Sequence, residues 1–167
     1  MIRFIGVAFI FMASAYVGIN LSENIRRKKE RFILIRKILS EISELIRWNS
    51  FTMSEIIVKL YENDEFCKQE FIRLLPDKLS ETHSFPEAWE RAVRCDKTLS
   101  DDEKKLLLDV GATLGTTDID GQVSSLGFFV SQADKMAEEQ SEKYKIKGKM
   151  YRSLGVAFGA MIGILII

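Results

Sequence analysis

The residues able to do chemistry are few and scattered. His83 is the sole histidine of the 167 residues and sits in the polar stretch Ser80-Glu81-Thr82-His83-Ser84. Nucleophilic or general-base catalysis needs an imidazole beside a serine or cysteine in a defined motif, and none frames it. Cys67 and Cys95 are the only cysteines, without CxxC spacing or a second ligand cluster, so they predict two reduced thiols rather than a zinc site or a disulfide. Asp101-Asp102-Glu103 would suit a cation, but three acids opening a helix complement the positive end of its dipole without any ion. The sequence carries no Walker-type phosphate loop, no HExxH pair and no GxGxxG after a strand. These residues predict no catalytic centre, no metal and no cofactor.

The elements that would position them read as helix throughout. Two prolines and the lack of any sustained apolar–polar alternation leave no strand signal, so the fold class is all-α. Phe32, Ile35, Ile38, Leu39, Ile42, Leu45 and Ile46 recur at three- and four-residue spacing and predict one helix that ends near Trp48-Asn49-Ser50. Thr52 with Glu55 forms a capping box for a helix to about Tyr61, with Ile56, Ile57 and Leu60 inward. Asp64 is the expected cap of a third helix carrying Phe66, Cys67, Phe71, Leu74 and Leu75 and ending around Pro76. Ser84 with Glu87 opens a fourth, with Pro86 in its first turn and Ala88, Trp89 and Ala92 inward. Ser100 with Glu103 opens a fifth that stops at Gly115, a residue able to take the left-handed cap conformation. Thr117 and Asp118 start a sixth, broken only by Gly121, Gly127 and Gly148 before the C-terminal apolar run. Start and stop signals at such short intervals predict an antiparallel helical bundle.

Charge is zero in sum but uneven along the chain. Residues 23–31 hold five basic and two acidic side chains, and residues 142–152 hold five basic and one acidic. Between them, residues 52–141 carry 19 acidic against 10 basic side chains, a domain that would repel phosphates and excludes general nucleic-acid binding. The two collars, Arg26, Arg27, Lys28 and Lys29 at one end and Lys145, Lys147, Lys149 and Arg152 at the other, abut uncharged runs. Residues 4–21 reach about 27 Å as a helix, close to the hydrocarbon thickness of a bilayer. Residues 153–167 reach about 22 Å, enough only if Met150 and Tyr151 enter the interface while Arg152 snorkels outward.

Ala13-Ser14-Ala15 has the form of a signal-peptidase site, but the basic cluster after the apolar run reads as stop-transfer. The expected organisation is therefore a transmembrane anchor at 1–21, a cytosolic helical bundle at 22–152 and a second anchor at 153–167. Basic residues flanking a span are kept on the cytoplasmic side, and both collars give that orientation. Gly155, Gly159 and Gly163 recur every fourth residue and share one face, with Ser14 and Gly18 as a weaker counterpart, a pattern that lets helices pack closely in a membrane.

The order of these elements resembles the stage III sporulation protein AB family over almost the whole chain. The resemblance is carried by Leu107-Leu108-Asp109-Val110-Gly111-Ala112-Thr113-Leu114-Gly115-Thr116-Thr117-Asp118 followed by Gln122, by Phe85-Pro86-Glu87-Ala88-Trp89, and by Tyr151-Arg152-Ser153-Leu154-Gly155. It marks Gly111, Gly115, Asp118 and Gln122 as a family-pattern turn. It implies a subunit of an envelope-spanning complex joining mother cell to forespore, on the mother-cell side in the outer forespore membrane. It further implies likeness to the F-type platform proteins of type II secretion and type IV pilus systems. The partners so implied are a cytosolic secretion-type ATPase and other membrane subunits of the same complex. Platform proteins usually carry two such domains and more spans, so one domain would need self-association to build the same assembly. A competing reading is a free-standing membrane adaptor whose acidic bundle captures a soluble partner. On either reading His83→Ala, and Cys67→Ala with Cys95→Ala, are expected to leave sporulation near normal by heat-resistant spore counts. Loss of function in a stably folded, normally abundant His83 variant would contradict the absence of catalysis.

Overall fold

The computed structural model describes residues 2–49, 51–82, 84–150, 153, 154, 157 and 161, leaving out the side chains of 2–11, 14, 15, 18, 49, 78 and 82. Among the described residues there is no strand. Six α-helices follow one another: α1 (Ile2–Asn49), α2 (Met53–Glu62), α3 (Glu70–Thr82), α4 (Phe85–Cys95), α5 (Asp101–Thr113) and α6 (Ile119–Lys143). A 3₁₀ turn, Phe66–Lys68, precedes α3, and a π-helical turn, Tyr144–Gly148, follows α6. The chain divides into two compact units, Phe32–Asp134 and Met1–Arg31 with Lys135–Ile167.

The unit Phe32–Asp134 is a helical bundle in which α2 packs on α3, α3 on α4 and α4 on α5. All seven apolar positions of the 3,4-spaced pattern in α1, from Phe32 to Ile46, are buried, which is what a one-sided apolar stripe requires of a helix facing a core. Helix α2 starts at the expected capping box: the Glu55 carboxylate accepts from the Thr52 N–H at 2.8 Å and the Thr52 hydroxyl at 2.7 Å. Those two bonds to its charged form hold the Glu55 carboxyl below its ordinary pKa. Ile56, Ile57 and Leu60 are its buried side.

The next segment departs from the sequence reading in three ways. Asn63, not Asp64, makes the turn, since its Oδ1 accepts from the Glu65 N–H at 2.9 Å and the Phe66 N–H at 3.3 Å. A short amide side chain folded back on its own backbone competes with a helical cap at this point, and a 3₁₀ turn results. Helix α3 also runs through Pro76 to Thr82 instead of ending there. The proline removes one helical bond, to the Ile72 carbonyl, at a cost of roughly 3 kcal/mol. Burial offsets it, because Phe71, Ile72 and Leu75 are fully buried and Leu79, half-buried, continues their face one turn beyond the proline. Cys67 and Leu74 are half-buried rather than core residues.

The start of α3 is held from a distance. Asp96, at the C-terminal end of α4, is fully buried. One of its carboxylate oxygens accepts from the Phe71 N–H at 3.0 Å, and the other from the Thr98 N–H and hydroxyl, both at 2.7 Å. A first-turn amide of α3, without a partner in its own helix, is thus satisfied by a side chain 25 residues away. Between the same helices the Trp89 ring meets Phe71 edge-on at 5.6 Å and Phe85 at 5.7 Å. The ion pairs Arg36–Asp134 (3.2 Å) and Lys37–Glu65 (2.6 Å) lie at the surface, where each contributes about 1 kcal/mol or less.

In the second unit the early part of α1 meets the π-helical turn at Ser22, which is buried, its Oγ 3.0 Å from where a Cβ on Gly148 would lie. Gln140 is buried there as well. Among the described residues no helix is long and apolar enough to cross a membrane. The side chains of 2–11 and most of 151–167 lie outside that statement.

The Asp96 network yields a stability prediction. Asp96→Ala strands the buried Phe71 N–H and removes the acceptor of the more accessible Thr98 N–H, and is expected to cost about 1–3 kcal/mol, while Asp96→Asn, which keeps one acceptor, costs less. Thermal unfolding of the purified chain, followed by circular dichroism, reads the difference. Equal midpoints for native and Asp96→Ala chains would show that the α3 terminus does not depend on this carboxylate.

Candidate functional site

The family-pattern residues Gly111, Gly115, Asp118 and Gln122 come together around the α5–α6 turn and the α4–α5 contact. Trp89 is fully buried, and its indole Nε1–H donates to the Leu107 carbonyl at 2.7 Å. An indole N–H in a dry core must find an acceptor, and this one takes a carbonyl of the neighbouring helix. The ring then lies so close to α5 that a Cβ on Gly111 would fall 2.3 Å from Trp89 Cδ1. Glycine at 111 is therefore a requirement of close approach.

Four residues on, Gly115 ends α5 with φ +77°, the left-handed conformation that L side chains avoid. Its N–H donates to Gln122 Oε1 at 3.0 Å, while Gln122 Nε2 donates to the Thr117 carbonyl at 2.8 Å. The Gln122 side chain thus staples both ends of the turn from the first turn of α6, and it is buried as it does so. Asp118 caps α6, its Oδ1 accepting from the Gly121 N–H at 3.1 Å. The Ser100–Glu103 start of α5 also forms as expected, with the Glu103 carboxylate accepting from the Ser100 N–H at 2.6 Å and hydroxyl at 2.8 Å. At α4 the expected box gives way: the Glu87 carboxylate accepts from Arg91 at 2.6 Å instead, leaving Ser84 and Pro86 to mark the helix start.

Beside this contact α4 and α5 leave a cleft of about 430 Å³ lined by Ser84, Pro86, Glu87, Glu90, Arg94, Leu108, Asp109, Gly111 and Ala112. Leu108, Asp109, Gly111 and Ala112 of this lining belong to the 107–118 segment that carries the family resemblance. Glu87 and Glu90 are tied to Arg91 and Arg94 by (i, i+4) pairs at 2.6 and 2.8 Å, and Asp109 is exposed on the facing helix. Such a lining, charged at the rim and apolar at Pro86, Leu108 and Ala112, suits a protruding element of a protein partner. Among the described residues no group of three or more His, Cys, Asp or Glu is placed to hold a metal ion. Cys67 and Cys95 are free thiols, half-buried and exposed. His83 lies outside the described residues.

The collars are placed as follows. Arg26 bonds Glu23 at 2.6 Å and pairs with Glu30 at 3.7 Å, and these acids, the Glu23 hydrogen bond first, raise its pKa further. Arg27 reaches Glu23 at 3.9 Å. Lys145, Lys147 and Lys149 are exposed around the π-helical turn, and Lys28 and Lys29 are half-buried. Gly155, Gly159, Gly163 and Arg152 lie outside the described residues, as do the side-chain surroundings of Ser14 and Gly18. Three contributors escaped the sequence reading, Asp96 and the cleft-lining Glu90 and Arg94. The Asp-x-Thr pattern of Asp96-Lys97-Thr98, a local side-chain turn, was the available signal for the first.

These features define a class: an all-α bundle with a rigid, stapled helix turn beside a cleft of docking size. The comparisons narrow it. Residues 3–167 match the family of stage III sporulation protein AB, and the chain belongs to that family. Its role is accordingly in sporulation. Neither the curated proteins nor the solved structures gave a match.

Gly111→Ala tests the close approach. The added Cβ displaces Trp89 and its bond to Leu107, an overpacking loss of about 1–3 kcal/mol against a helix-propensity gain of about 1 kcal/mol. A net fall in the unfolding midpoint with a shifted tryptophan emission spectrum is expected. A rise in stability would refute the contact.

Proposed function

We propose that this chain is a non-enzymatic platform subunit of a secretion-like channel complex of sporulation, held in the cell membrane by both ends, with its helical domain in the cytosol to engage a secretion-type ATPase. The observation that carries the reading is the surface of the unit formed by the chain ends. Met12, Tyr16, Val17, Ile19 and Leu21 are all 44–68% exposed. At 100° per residue they occupy more than half of the circumference of α1. Ile146 and Met150 are exposed in the same unit. A helix that shows apolar side chains over more than half of its circumference suits a lipid surrounding rather than water. The basic side chains next in sequence, Arg26, Arg27, Lys145, Lys147 and Lys149, supply the flank that keeps such a segment's collar in the cytosol.

Membership of the sporulation family supports the setting, and the resemblance to F-type platform proteins supplies the partner class. The α4–α5 cleft is the face we assign to that partner. It is walled by elements whose spacing is fixed by the Trp89–Leu107 bond, so a docked element meets a pre-formed surface and loses little to reorganisation. Packing of the anchors through Gly155, Gly159 and Gly163 belongs to the same reading.

A topology assay tests the anchoring. A reporter active only in the cytosol is expected to be active when inserted near Asn63 and silent when fused after Ile167, and the opposite pattern sinks the orientation. A photo-crosslinking residue at Asp109 in sporulating cells is expected to capture the ATPase-like partner. Full sporulation with no such product would remove the cleft from the interface.

A further inference from the structure

The two basic collars differ in what becomes of their charge. On α1 the arginines have carboxylates of their own: Arg26 bonds Glu23 at 2.6 Å and pairs with Glu30 at 3.7 Å, and Arg27 reaches Glu23 at 3.9 Å. Around the π-helical turn the exposed Lys145, Lys147 and Lys149 have no acidic partner among the described residues, and no acid follows Glu142 in the sequence. Lys145 and Lys149 stand four residues apart, a spacing at which like charges on a helix oppose each other. Of residues 145–150 only Gly148 is buried, where a Cβ would lie 3.0 Å from Ser22 Oγ of α1, so that side of the turn is closed. The rest is open, and among the lysines stand two apolar side chains, Ile146 at 71% and Met150 at 45% exposure. Nothing within the unit rewards this mixture of unpaired cations and bare apolar groups.

The mixture itself selects the occupant. A free anion would take the ammonium groups and leave Ile146 and Met150 in water. A nucleic acid would in addition meet Glu138, Glu139 and Glu142, all exposed just before the turn. The headgroup layer of a membrane takes both kinds of side chain: apolar groups enter the acyl boundary, while lysine stems lie along it and carry their charge out to the phosphates. We propose that residues 145–150 are a binding surface for anionic phospholipid, with Lys145, Lys147 and Lys149 on the headgroup phosphates and Ile146 and Met150 at the acyl boundary. A zwitterionic headgroup brings its own cation, so only a net anionic one gains from all three lysines. The arginines of α1, held by Glu23 and Glu30, contribute less to this preference. The inference rests on the reading of the chain ends as membrane anchors and adds to it a class of lipid.

The test uses the full chain, purified in a neutral detergent and titrated with fluorescently labelled phosphatidylglycerol or phosphatidylcholine, with binding read by anisotropy. Each lysine near an anionic surface contributes a factor of about five. Phosphatidylglycerol is therefore expected to bind on the order of a hundredfold more tightly at low salt, and the preference to shrink as salt rises. Lys145→Gln with Lys147→Gln and Lys149→Gln is expected to remove most of the preference with an unchanged melting midpoint, whereas Arg26→Gln reduces it about twofold at most. Glycerol phosphate, the same phosphate without acyl chains, is expected not to displace the lipid. Equal affinity for the two lipids, a full preference in the triple lysine variant, an equally large loss in Arg26→Gln, or displacement by glycerol phosphate would each overturn the proposal. Equal affinity together with the expected reporter topology removes the lipid class and leaves the anchoring reading in place, whereas a chain that takes up neither lipid overturns both.

Discussion

The bundle depends on one hydrogen bond, from the Trp89 indole to the Leu107 carbonyl. The largest buried side chain of the domain carries a polar atom that cannot be left dry. Its acceptor is a main-chain oxygen, so the bond fixes backbone to ring rather than ring to a movable side chain. Position 111, one turn further along α5, must then lack a Cβ. The same ring packs on Phe71 of α3 and Phe85 of α4, so one side chain sets the spacing of three helices. The cleft between α4 and α5 has its width from this arrangement, and any partner that docks there reads a distance imposed by an indole.

The end of α5 continues the same logic. A left-handed residue reverses the chain, and the polar groups so exposed are taken up at once by Gln122 and Asp118 from the next helix. Family membership and physical necessity meet at these positions. Exchange of Gln122 or Asp118 leaves a main-chain group of the turn unserved, and a side chain at position 115 strains its left-handed backbone.

Much of the fold was legible because its signals are local. Spacing of three and four placed the buried side of α1 from Phe32 to Ile46 without error, and the boxes at Thr52 and Ser100 formed as read. What escaped were choices settled at a distance or by competition. Asp96 looks like a solvated loop acid until α3 is known to begin beside it. Pro76 reads as a terminator, and only the burial carried on by Leu79 outweighs the bond it removes. Glu87 had two uses, a cap or a partner for Arg91, and local pattern does not rank them. The candidate cleft was half legible: the segment from Leu107 to Gly115 stood out by resemblance, whereas its opposite wall required α4 to be laid against it.

The long-range bonds of the bundle are short in sequence. Asp96 to Phe71 spans 25 residues and Trp89 to Leu107 spans 18, and α2 to α5 pack on their immediate neighbours in the chain. Loop closure over such intervals costs little entropy, and contacts between sequential helices form early. The middle of the domain can therefore be assembled as soon as Thr113 has left the ribosome, before α6 has emerged to pack on it. In order of synthesis, the surface that a partner would meet is finished first.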